Sequence, residues 1–268
     1  MDKKRVLIVT QEMQPFTALS EISEIARQLP QYVQENGMEI RVLMPKYGTI
    51  NERRHRLHEV VRLSGMNIIV DDDDYPLIIK VASIPGARMQ VYFLDNEEFF
   101  KRKAVFTDKD GKDFEDNADR MIFFCKGTIE TVKKFGWAPD IIHCHGWMTS
   151  MIPFYLKTAY KNEPLFSQSK VVYSMYNFRP NESFSDRFAS KAAINNLEDK
   201  DLKAFENGKG VSLHKGAAAF SDALISNGHA DDDVKYVLDN EDKPHLQVED
   251  KEAYLKDCVG FYETITSE

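Results

Sequence analysis

Cysteine, positive charge and long apolar runs are all scarce in this chain. Three cysteines stand among 268 residues, an odd number, at Cys125, Cys144 and Cys258. They are widely spaced and lie in apolar surroundings. That excludes a disulfide framework and points to reduced, buried thiols and a cytoplasmic setting. Lysine and arginine number 35 against 43 aspartates and glutamates, a net charge of −8. Such a balance argues against a nucleic-acid partner. After the basic start Met1-Asp2-Lys3-Lys4-Arg5, the apolar stretch is too short for a signal peptide or a membrane span. No internal repeat, low-complexity tract or inter-domain linker interrupts the sequence, so 1–268 reads as one domain.

What is present is an alternation of strands and helices. Arg5–Thr10 reads as a buried strand. A helix follows from near Ser20, with Ile22, Ile25, Ala26, Leu29 and Val33 on one face. Asn36-Gly37 ends it, and strand Glu39–Met44 runs up to Pro45. Three closely spaced strands come next: Met66–Val70, Leu77–Ile84 and Met89–Leu94. Their turns, Asp71–Asp74, Pro76 and Pro85-Gly86, predict a small antiparallel insertion. A long helix is expected over Asn117–Phe135, with Asn117 as N-cap and Gly136 beyond its end. Strand Asp140–His145, helix Thr149–Tyr160 and strand Lys170–Met175 follow. Residues 178–211 read as a polar surface insertion, Gly216–Phe220 as a helix and Ala223–Ser226 as a strand. The tail 249–265 reads as a final helix packing on the domain. The sum is an α/β fold: one doubly wound, Rossmann-like domain with a mainly parallel sheet.

The first turn decides the chemistry. A strand feeding a helix through a short loop is where phosphates bind, because free backbone N–H groups and the positive end of the helix dipole meet there. Such loops carry glycines so that the backbone can approach the phosphate. Here the loop reads Thr17-Ala18-Leu19-Ser20-Glu21. It has no glycine and no basic residue, and a carboxylate sits in the first helical turn.

Several motifs resemble the bacterial glycogen synthases and plant starch synthases. They are Glu12-Met13-Gln14-Pro15-Phe16, Arg41 to Gly48, Tyr92 to Asn96, Asp116 to Arg120 with Phe123-Phe124, and Trp137 to Trp147. Weaker matches run from Val172 to Asn177 and from Lys215 to Ser226. The resemblance implies the first of the two Rossmann-like domains of a GT-B glycosyltransferase, the domain that receives the glucan acceptor and lends a glycine-rich loop to the diphosphate. It also implies losses. The family's lysine-threonine-glycine-glycine is here Ala18, Leu19, Ser20 and Glu21. Its His-x-His-Asp-Trp-His has become His143-Cys144-His145-Gly146-Trp147-Met148. Its histidine-asparagine pair reads Tyr176-Asn177. Glu12, Trp147 and Asn177 are retained. A retaining transfer needs a stabilised diphosphate leaving group and a positioned, partly cationic sugar, and this set lacks both supports. No catalytic residue is therefore assigned.

The resemblance and the strand ends give a ligand-edge set: Glu12, Phe16, Ser20, Asp95, His143, His145, Trp147, Tyr176 and Asn177. Each has a plainer reading. His143-x-His145 can bind metal, but no third ligand is evident and packing is preferred. Trp147 divides evenly between stacking on a sugar and packing. Tyr173, Tyr176, Phe178 and Phe184 line the edge or cover surface. Asp71–Asp74 and Asp231–Asp233 read as solvated loops rather than cation sites. Gly208-x-Gly210 with Lys215-Gly216 only faintly suggests a phosphate loop, and Cys144 reads as packing. No cofactor and no metal are expected. The expected function is a synthase-like domain, non-catalytic by itself, that binds an α-glucan or a protein partner at the carboxyl edge of its sheet. The alternative is a half-enzyme transferring glucose from ADP- or UDP-glucose, with the second domain supplied in trans.

Overall fold

The computed structural model describes residues 3–177, 188–194, 197, 199–207, 210–227, 230–248, 250 and 253–267. The chain opens with β1 (Arg5–Thr10), α1 (Ile22–Glu35), β2 (Glu39–Pro45) and a single turn, α2 (Glu52–His55). Strands β3 (His58–Glu59), β4 (Met66–Val70), β5 (Asp73–Ser83) and β6 (Gln90–Asp95) follow. Then come α3 (Glu97–Phe100), α4 (Asn117–Phe135), β7 (Ile141–His145), α5 (Met151–Lys157) and β8 (Lys170–Met175). Beyond β8 lie α6 (Phe188–Ala192), the two-residue strands β9 (Glu206–Asn207) and β10 (Gly210–Val211), and α7 (Leu213–Phe220). The last elements are β11 (Ala223–Asn227), α8 (Asp232–Asn240), β12 (His245–Val248) and α9 (Tyr254–Ile265).

The main sheet runs β12-β11-β8-β7-β1-β2-β6-β5-β3, with β4 on β5. From β12 to β6 every neighbouring pair is parallel. β5 pairs antiparallel with β6, β3 and β4. The fold is thus α/β with a mostly parallel sheet and an antiparallel corner. β1 and β7, which are covered on both faces, carry near-continuous apolar runs. Val6, Leu7, Ile8 and Val9 on β1 and Ile141, Ile142 and Cys144 on β7 are buried. β1 leads out to β2 and β6 on one side, and β7 leads to β8, β11 and β12 on the other. The strand order therefore reverses between β1 and β7, which is where such sheets open a ligand crevice at their carboxyl ends. Among the described residues no helix is long and apolar enough to cross a membrane.

Several expectations are corrected here. Asp116, not Asn117, is the N-cap of α4. Asn117 is turned inward, donating to the Phe106 carbonyl and accepting from Arg120. Asp231 is not in a solvated loop. It caps α8 by accepting from Asp233 N and Val234 N at 3.1 and 3.0 Å. Within the expected surface insertion 178–211, residues 178–187, 195–196, 198 and 208–209 lie outside the described set, and several of the described ones are anchored in the core. Phe188, Ala192, Leu202 and Phe205 are buried, and the Phe205 ring fills the space where a Cβ on Gly216 would stand, 2.1 Å away. Gly216 thus serves packing, while Gly208 lies outside the described residues. In α9, Tyr254, Cys258, Val259, Tyr262 and Ile265 are buried, and the helix packs against α1 and β12.

Candidate functional site

Thr10 and His145 sit side by side at the carboxyl ends of β1 and β7. The corner between β1 and α1 is occupied from within. Glu12 is fully buried. One of its carboxylate oxygens accepts from Leu19 N at 2.5 Å and Ser20 N at 3.0 Å, and the other accepts from Ser20 Oγ at 2.6 Å. These are the backbone donors that such a corner turns toward an anion. Here the chain's own carboxylate takes them. Ser20 Oγ also accepts from Ile22 N at 3.3 Å, tying the loop to the first turn of α1.

The opposite wall is closed in the same way. Gly146 has φ 82°, and a Cβ there would meet Gln11 Oε1 at 2.3 Å. The Gln11 amide therefore stands where any side chain at position 146 would begin, and its oxygen faces Met148 N at 3.5 Å. Trp147 is 1% exposed, and its ring packs on Phe106 at 4.8 Å between centroids. The indole thus forms wall, with no free face for a sugar.

His143 and His145 stack at 3.8 Å between centroids. His143 Nδ1 shares a hydrogen bond with Tyr262 Oη at 2.5 Å, and its Nε2 with Ser174 Oγ at 2.7 Å. His145 Nδ1 meets Tyr176 Oη at 2.9 Å, while its buried Nε2 has no partner among the described residues. Burial pushes His145 down to about 3 and holds His143 well below the ordinary histidine range, with His145 adding repulsion. Both rings are neutral at pH 7. Among the described residues, no three histidine, cysteine or carboxylate side chains come together to hold a metal. Burial raises the Cys144 thiol well above its usual range, so it stays protonated and inert.

The structure brings Glu12, Ser20, His143, His145, Trp147 and Tyr176 around the β1–β7 crevice. Phe16 stands beside it, edge-on to Phe93 at 4.9 Å and to His55 at 5.0 Å. Asn177 is exposed, and its Oδ1 accepts from Asp231 N at 3.3 Å. Asp95 lies apart, at the end of β6, two strands from β1. It pairs with Lys80 at 2.8 Å, and Lys80 with Glu52 also at 2.8 Å. Tyr173 is buried against His214, while Phe178 and Phe184 lie outside the described residues. Sequence reasoning missed Gln11, Ser174 and Tyr262. Gln11 directly follows β1 and was within reach. Tyr262 sits 119 residues from its partner His143, and no local pattern announces such a contact.

Three comparisons place this geometry among known proteins. The family model described as "Starch synthase catalytic domain" matches residues 5–234. A glycogen synthase of Chlorobium limicola is 43% identical over 174 residues, covering 65% of this chain and 36% of that protein. The glycogen synthase of Chlorobaculum tepidum is 42% identical with the same coverage. The chain thus spans about a third of the length of these relatives. Among solved structures, the catalytic domain of starch synthase IV from Arabidopsis thaliana, bound to ADP and acarbose, superposes with a TM-score of 0.75. That alignment has 20% identity and covers 92% of this chain and 51% of that one, so the likeness is one of fold.

Proposed function

Because the chain belongs to the starch synthase catalytic-domain family, we propose that it is a glycogen- or starch-synthase-like domain that does not transfer glucose by itself and binds an α-glucan at the carboxyl edge of its sheet. One observation carries the reading: where the family has lysine-threonine-glycine-glycine this loop has Ala18-Leu19-Ser20-Glu21, and its Leu19 N–H, Ser20 N–H and Ser20 hydroxyl are all turned onto the retained Glu12 carboxylate. A diphosphate entering that corner would compete for the same donors and face a negative charge. At 4 Å and an effective dielectric near 20, the repulsion is roughly 4 kcal/mol. Ala18 offers no compensating cation. A restored aspartate at Gly146 would be strained at φ 82° and would have to displace the Gln11 side chain.

The surface supports sugar over protein at this edge. Among the described residues the exposed large apolar side chains are Leu19, Val61, Ile69 and Tyr236. Of these only Leu19 adjoins the crevice, so among the described residues no broad apolar patch faces outward there, as a protein interface would need. Calorimetric titration separates the readings. Maltoheptaose is expected to bind, and ADP, ADP-glucose and UDP-glucose to give no heat. Nucleotide binding, or glucose incorporation into glycogen, would overturn the non-catalytic half and favour an enzyme completed in trans. Silence toward every oligosaccharide would overturn the glucan half.

A further inference from the structure

A basic stretch of this acidic chain lies beside the crevice, where His55 meets Phe16. Between Glu52 and Arg62 stand four arginines and two histidines against two glutamates, in a chain of net charge −8. Glu52 is engaged, by Lys46 at 2.6 Å and Lys80 at 2.8 Å. Arg53, Arg54 and Arg56 are exposed, and none of them makes an ion pair among the described residues. The turn is fixed in place. Asn51 caps it through Arg54 N at 2.9 Å, and the His55 ring stands edge-on to Phe16 beside the crevice. Burial and the neighbouring Arg54 hold His55 below the ordinary histidine range, so the charge of this lip comes from the guanidinium groups. Arg56 closes the turn in the left-handed region, φ 54°. Glycine would adopt that conformation without the steric cost that an L side chain meets there. An arginine at that position keeps a cation on the rim.

We infer that Arg53, Arg54 and Arg56 form an anion-reading lip that takes phosphate monoesters carried on an α-glucan. The inference rests on the glucan reading of the crevice and names a chemical class of ligand for it. The charge distribution selects this class. Glu12 makes the inner corner hostile to anions, while three guanidinium groups with no ion pair among the described residues stand outside it. The ligand must be neutral where it enters and negative where it crosses α2. A glucan bearing scattered phosphates meets both conditions, whereas an acidic peptide is charged throughout. The planar guanidinium fork matches phosphate oxygens bidentately, which lysine cannot do.

The test titrates the full chain with maltoheptaose and with maltoheptaose carrying a single 6-phosphate, at low and at physiological salt. The phosphorylated ligand is expected to bind roughly tenfold tighter, the scale of one charge-assisted hydrogen-bond pair, with the preference shrinking as salt rises. Arg53→Gln/Arg54→Gln/Arg56→Gln is expected to abolish the preference and leave maltoheptaose affinity unchanged. Arg56→Gly relieves backbone strain rather than adding it, so its partial loss of preference cannot be put down to unfolding. Equal affinity for the two ligands in the wild type, or a preference that survives the triple variant, overturns the inference. So does a free glucose 6-phosphate that competes as well as the phosphorylated glucan, or a poly-glutamate peptide that binds the lip as tightly. Failure of maltoheptaose to bind, with the phosphorylated ligand still held through the arginines, overturns the neutral-glucan reading and leaves the lip standing.

Discussion

Lys126 carries its ammonium into a nearly dry place between three elements. It is 3% exposed. Its Nζ donates to the Ile69 carbonyl of β4 at 2.9 Å and to the Ala193 carbonyl just past α6 at 2.8 Å. Tyr155 Oη donates to the neighbouring Ala192 carbonyl at 2.8 Å. Together they satisfy the open end of α6, where a cation also complements the helix dipole. Burial pushes the Lys126 ammonium down to about 8 from 10.5. The sign follows from linkage. Between those two values the unfolded chain holds the proton and the native chain releases it, so this group adds stability as pH rises through that window. Buried tyrosine and cysteine groups shifted upward act in the opposite direction at high pH, so the expected signal is a difference. The stability of the wild type relative to Lys126→Met is expected to grow by about 1 kcal/mol per pH unit between pH 8 and 10. Urea denaturation at several pH values measures it, and a difference flat with pH would contradict it. Lys126 gives no warning in the sequence. Its position on α4 shows that it is helical, but not that two distant carbonyls cover it.

At the level of elements, much of the fold was legible because local chemistry and tertiary packing agree. The apolar run Val6–Val9, the face Ile22, Ala26, Leu29 and Val33, and the αL residue Gly136 after α4 all lie where their periodicity or capping puts them. The losses came where one residue type serves two purposes. Asp231–Asp233 looks like a solvated turn, and it is the cap and first turn of α8. β12 is short and polar along its exposed positions, as edge strands are, so it has no alternation to read. Pro76 marks a turn in the sequence, yet it sits within β5 opposite Asn67, in the end of the strand beyond the β6 pairing that begins at Ile78, where one side of the ladder has no partner strand to miss its N–H. The candidate site was legible only as a list of strand-end residues. That Glu12 answers the loop, and that Gln11 lies over Gly146, are facts of three dimensions. The same holds for α9, whose Tyr262 bonds His143 in the sheet. Tyr262→Phe removes that hydroxyl and leaves a buried imidazole nitrogen unpaired, an expected cost of about 1–2 kcal/mol in chemical denaturation. A variant as stable as the wild type would mean that the α9 docking rests on Tyr254, Cys258 and Ile265 alone.

Across the whole molecule, the crevice rests on its most constrained strands. β1 and β7 pair with each other and each has a further parallel neighbour, β2 and β8. Their side chains belong to a single apolar cluster that reaches from Val6 to Ile265. The antiparallel corner differs. Among the described residues β4 pairs only with β5, and Asn67, Ile69, Asp72, Asp73 and Asp74 are exposed around its tip. Local opening draws on segments with few buried apolar contacts and solvent-facing backbone bonds. Native-state hydrogen exchange is therefore expected to rank the molecule. Amides of β1, β7 and β8 should exchange only through global unfolding, and the β4–β5 tip should exchange through local opening several kcal/mol less costly. The order carries a functional consequence. With Glu12 and Gln11 fixed to the end of β1, vacating the loop donors for a phosphate would require disturbing the best-protected strand. Binding that keeps the corner shut, at its rim and on the α2 lip, requires no such disturbance. Fast exchange in β1 comparable to the β4–β5 tip would mean that the corner opens readily, and the filled anion site could then give way to a nucleotide.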